Sequence, residues 1–115
     1  MQVSLLSAAV AGVLLASSGT AQADVVISQV YGGGGNTGAT LKSDFIELHN
    51  NGTAAVSLDG WTIQYAATSG TSWQTTALTG SIAAGGYYLI KQADGAGGSV
   101  NLPTPDATGT IPMAG

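Results

Sequence analysis

The sequence predicts an all-β domain behind an export leader, and three observations carry that fold class. Short apolar or alternating stretches recur at intervals of about a dozen residues, separated by Gly, Ser, Thr, Asn and Asp. After residue 23 no stretch keeps a helical period over the length of a helix. Only 7% of the 115 residues are charged while 44% are hydrophobic, which separates the chain from a disordered acidic tail.

The leader comes first. "SLLSAAVAGVLLASSGTAQA" reads as a secretory signal helix: Leu5 to Leu15 form an apolar run too short to cross a bilayer, and Ala21-Gln22-Ala23 supplies a small-x-small cleavage pattern. Cleavage is expected before Asp24, so residues 1–23 form the signal peptide and residues 24–115 the domain. "MQVS" lacks the Lys or Arg that usually opens such a leader. Either the terminal amine supplies the charge or the true start lies upstream. The competing reading of the same run is a buried N-terminal helix.

The domain then unfolds strand by strand. "VVISQVY" (Val25–Tyr31) is β-branched and gives a first strand. "DFIELHN" (Asp44–Asn50) gives a second, closed by a turn in which Asn51-Gly52 tolerate positive φ. Asp59-Gly60 marks another turn. In "WTIQYAA" (Trp61–Ala67) Trp61, Ile63 and Tyr65 share one face. "TSWQTTAL" (Thr71–Leu78) is a weaker, threonine-rich strand, and "YYLIKQ" (Tyr87–Gln92) a strong one. Residues 93–115 hold all three prolines and no alternation, so they are expected to form a loop or linker. Such a stretch, with nothing after it to pack against, points to a sandwich that stops before its last strands.

Taken together, "VVISQVYGGGGN", "DFIELHNNGTAAVSLDGW" and "IAAGGYYLI" resemble the lamin-tail domain over Asp24 to Gln92. The resemblance implies an immunoglobulin-like β-sandwich. It also implies an accessory module of a larger secreted protein, most similar in arrangement to extracellular nucleases of the endonuclease/exonuclease/phosphatase superfamily. In those proteins metal-dependent phosphodiester cleavage belongs to a separate downstream domain, and no part of this chain corresponds to one.

Composition excludes several partners. Lys42 and Lys91 are the only cations, too few to track a phosphate backbone or hold an anionic membrane. With no cysteine, neither disulfides nor thiolate metal sites are available. Gly33-x-Gly35-x-x-Gly38 matches a dinucleotide fingerprint on paper, but a strand follows within six residues where a helix is needed. A flexible inter-strand loop is expected there, and no cofactor. Asn51-Gly52-Thr53 is formally a glycosylation sequon, read here as turn chemistry. The many serines lack a Gly-x-Ser-x-Gly elbow, which leaves no catalytic nucleophile.

Asp44, Glu47 and His49 are the remaining candidates for metal or acid–base work. Strand alternation places Asp44 with Ile46, Leu48 and Asn50 on the core face, and Phe45, Glu47 and His49 on the other. Glu47 and His49, about 6.5–7 Å apart along one face, are at most two ligands where catalytic zinc commonly takes three. A third would come from Asp59, Asp94 or Asp106, and a weak calcium site in the loops lacks a dense acidic pattern. Glu47 and His49 are expected to be solvated. Among the aromatics, Trp61 and Tyr65 are expected in the core, one of Tyr87 and Tyr88 must face outward, and Trp73 is the best exposed contact. The sequence therefore reads as a secreted, non-catalytic module that binds an extracellular protein or polysaccharide. The alternative is the N-terminal part of a secreted nuclease.

Overall fold

A computed structural model describes residues 3–7, 11–16, 24–67 and 73–113. Its strands are β1 (Val3–Ser7), β2 (Ala11–Ala16), β3 (Val25–Tyr31), β4 (Ser43–Asn50), β5 (Val56–Ser57), β6 (Thr62–Ala67), β7 (Gln74–Ala77), β8 (Ser81–Ile82), β9 (Tyr87–Asp94) and β10 (Ala107–Thr108). They form one four-stranded sheet in the order β10-β9-β4-β3, a second in the order β1-β2-β6-β7, and a short β5-β8 pair. The two larger sheets face each other as a sandwich. Among the described residues no helix is long and apolar enough to cross a membrane.

The core follows from period-two alternation. Ile46 and Leu48 of β4, Tyr88 and Ile90 of β9, and Ile63 and Tyr65 of β6 meet between the sheets, in one buried cluster with Leu58, Trp61, Leu78 and Ile82. β3 needs a correction to its phase. Strict alternation of "VVISQVY" would aim Gln29 inward after Val25 and Ile27. A bulge at Ser28 breaks the register between Ile27↔Leu48 and Gln29↔Glu47, so that Val30, opposite Ile46, packs on the core instead.

Two turns are built differently from each other. Leu58–Trp61 is a β-turn closed by Trp61 N–H to Leu58 C=O at 2.9 Å, with Gly60 at φ 84° in its third position, as a type II turn requires. The corner after β4 is not the positive-φ Asn-Gly hairpin expected, because neither Asn51 nor Gly52 has positive φ. The Asn50 side chain organises it. Its Oδ1 accepts from Gly52 N at 3.0 Å and its Nδ2 donates to Ala54 O and Ile82 O. β4 therefore hands the chain to β5 at the sandwich edge, and pairs with β3 and β9.

The N-terminal segment read as a leader also departs from the expected helix. Where described it is extended and not helical, with β2 paired antiparallel to β6 from Ala11↔Ala67 to Ala16↔Thr62. A short apolar run carries no period that separates helix from strand, and the open edge of β6 offers hydrogen bonds that only a strand satisfies. Residues 93–113 are not a free linker either. β10 pairs in parallel with β9, and Ile111 and Met113 enter the core at 4% and 6% exposure. Their proline-rich approach hid this, because only two residues of β10 have ladder partners.

One polar bridge crosses the sandwich. Gln92 of β9 is buried on the core face, exchanges hydrogen bonds with Thr76 of β7 (Nε2 to Oγ1 3.0 Å), and accepts from Ile111 N at 3.2 Å. Gln92→Leu leaves the Ile111 amide and Thr76 hydroxyl without partners, at about 1–3 kcal/mol each, and the apolar side chain that replaces a buried amide offsets part of this, for an expected net loss of about 1–3 kcal/mol. Urea denaturation of the variant measures it.

Candidate functional site

The outer face of β4 and β9 carries the polar and aromatic residues singled out above. Glu47 and His49 lie on that face as alternation requires, each half-buried. They are not simply solvated. The bulged Ser28 donates its hydroxyl to Glu47 Oε1 at 2.9 Å. His49 Nδ1 lies 3.0 Å from Gly86 O, and since a carbonyl only accepts, Nδ1 carries the proton. In neutral His49 the Nε2 lone pair is then the ring's remaining acceptor.

Tyr87 sits opposite His49 in the β4–β9 ladder, and the two rings stack with centroids 4.3 Å apart at 24°. Tyr87 is 61% exposed while Tyr88 is buried, its hydroxyl donating to Thr79 O at 2.7 Å. Burial pushes the Tyr88 phenol above its ordinary range. Trp73, at the entrance to β7, is 46% exposed, as its setting among Thr and Ser suggested. Trp61 and Tyr65 are core. Tyr87 was only half-visible in the sequence: adjacency of two tyrosines says that one faces out, and the register says which.

The carboxylates do structural work in separate places. Asp44, at 4% exposure, accepts from Gly34 N and from Met113 N, each at 2.9 Å. Its removal from water raises its pKa above the usual value, and the two amides only partly offset this. Asp59 accepts from Gly80 N, Asp106 from Leu89 N, and Asp94 from the Ser43 hydroxyl with Lys91 alongside. The Ser43 bond, helped by Lys91, holds the exposed Asp94 carboxyl below its usual range. Asp44 and Glu47 point to opposite faces of β4, and among the described residues no three His, Cys, Asp or Glu side chains converge as a metal would require.

The glycine loop is likewise architectural. It is not flexible packing-free chain but buried at Gly34 and Gly35, tied by Gly35 N to Leu41 O at 2.8 Å and Gly97 N to Gly35 O at 2.7 Å. A strand follows it, so there is no helix N-terminus to receive a pyrophosphate.

What the face can offer chemically is contact: exposed Tyr87 stacked on half-buried His49, with Leu89 and Val26 beside them in the ladder. Replacing Tyr87 by alanine is expected to lower stability by about 0.5–1 kcal/mol, because the cross-strand stack on His49 is lost although most of the ring is already in water. Thermal unfolding followed by circular dichroism checks this.

No curated protein and no solved structure matches the chain. A family model does: the Lamin Tail Domain, over residues 18–111, which spans both faces of the sandwich, the glycine loop and the returning C-terminal segment. With most of its length matched and an all-β sandwich to go with it, the chain belongs to the lamin-tail-domain family.

Proposed function

We propose that this lamin-tail domain is a secreted, non-catalytic module that binds an extracellular protein or polysaccharide through exposed aromatic contacts and positions a larger protein there. One observation supports it above the others. Asp44, Glu47, Asp59, Asp94 and Asp106 each accept a hydrogen bond that fixes a loop, a bulge or a strand end, while Tyr87 is held outward on His49. Acid groups are used for architecture, and the side chains left facing outward suit contact.

Pull-down on insoluble polysaccharides and on extracellular-matrix proteins tests the reading. Binding that drops by about tenfold in Tyr87→Ala or Trp73→Ala supports it. Turnover of DNA or RNA by the purified chain with Mg²⁺ or Mn²⁺ would defeat it. Export is tested separately: secreted protein should begin at Asp24 by mass spectrometry, and any other start removes that assignment. The resemblance to secreted nucleases favours a second reading at the level of the parent protein, with catalysis in a downstream domain. The reading frame beyond Gly115 decides it.

A further inference from the structure

The sheet edges are not protected alike. β3, at one edge of its sheet, is broken by the Ser28 bulge and exposes Ser28 and Gln29. β7 is four residues long, with Gln74, Thr75 and Ala77 exposed. Bulges and short strands are ordinary ways of blunting an edge. β6 has neither. It is six residues of Thr, Ile, Gln, Tyr and Ala without charge or proline, and Ile63, Tyr65 and Ala66 are buried at 0%, 4% and 5%. That is the composition of an interior strand.

In this chain β6 is interior, flanked by β7 and β2. Yet the family domain starts at residue 18, so β2 and β1 come from outside it. The seam between the domain and its leader runs along the β6 edge, where all six β6 residues have a partner in β2. We infer that the β6 edge is a strand-acceptor site, and that its occupant is an extended, uncharged, apolar segment of about six residues running antiparallel to β6, the mode in which main-chain hydrogen bonds supply affinity. Ala11–Ala16 is that occupant here. Leader removal, which belongs to the export reading above, vacates the site for another segment of the same chemistry.

The test uses the full chain with a protease recognition sequence inserted within residues 17–23, cut after folding. The released leader fragment is expected to co-elute with the domain on size exclusion. An excess of synthetic peptide with the Ala11–Ala16 sequence, lysine-tagged for solubility, should displace it. The same peptide carrying both Val13→Pro and Leu14→Pro should compete about tenfold or more weakly. Neighbouring amides in a strand point to opposite sides, so the double change removes at least one donor to β6 whichever way the ladder is phased. The inference is overturned if the fragment leaves on cutting and the domain takes up no peptide, if both peptides compete equally, or if the vacated chain forms a dimer that the peptide cannot dissolve. The cut is made in vitro, so a chain that cells fail to export would defeat the export reading and leave this result standing.

Discussion

Gly34→Ala is expected to lower the unfolding free energy by about 3–5 kcal/mol, the upper end of what a single methyl group does when it has nowhere to go. A Cβ on Gly34 would lie 2.0 Å from the carbonyl carbon of Ser43 and 2.4 Å from Asp44 N, both backbone atoms of β4 that cannot rotate away. Either the loop lifts off, breaking the Gly34 N–H bond to Asp44, or β4 shifts against β3 and β9. Gly38→Ala is the control. Gly38 has φ 84° and nothing within 4 Å of an added Cβ, so its cost is the left-handed backbone alone, about 1–2 kcal/mol. A domain of this size has a total stability of roughly 5–15 kcal/mol, so Gly34→Ala should unfold at distinctly lower urea than Gly38→Ala. Equal midpoints for the two would show that the loop does not lie against β4 as described.

That loop shows what the sequence makes legible and what it hides. β3 was readable over Val25–Tyr31 from its β-branched residues, and β4, β6 and β9 were readable to within a residue or two at their ends, because burial on one face imposes a period of two. Two-residue strands such as β5, β8 and β10 carry no period and were invisible. The phase of β3 was unreadable for another reason, since a bulge is set by the partner strand and Ser28 finds its partner in Glu47, 19 residues on. The glycine run was misjudged as flexible because composition cannot distinguish freedom from close approach. Here Gly35 and Gly97 pack backbone against backbone across a separation of more than sixty residues. Of the candidate site, alternation correctly separated Asp44 from Glu47 and put Glu47 and His49 outward. It could not supply their partners, Ser28 and Tyr87, which only the ladder brings alongside.

Asp44→Ala is the second large effect, expected at about 2–6 kcal/mol, because two buried amides lose their acceptor at about 1–3 kcal/mol each. The two bonds join segments that are distant in sequence: the glycine loop through Gly34, and the returning C-terminal segment through Met113, 69 residues away. Both amides should lose hydrogen-exchange protection in the alanine variant. Asp44→Asn retains one acceptor oxygen but turns an amide group toward the other N–H, so it should cost less than alanine without reaching wild type. The pH dependence carries a sign of its own. Burial raises the folded-state pKa of Asp44 above its ordinary 3.8, so between the two values the folded chain holds a proton that the unfolded chain has released. Stability linked to this group is fully present below 3.8 and is lost as pH rises through the folded value. The advantage of wild type over Asp44→Asn should therefore shrink as pH is raised through that window. Asp94, its carboxyl held low by Ser43, contributes in the opposite direction and loses its share as pH falls. Stability measured by urea denaturation across the acid range in Asp44→Asn and Asp94→Asn separates the two. An advantage over Asp44→Asn that grows with pH would mean that the Gly34 and Met113 amides outweigh desolvation, and that Asp44 is held as a stabilised anion.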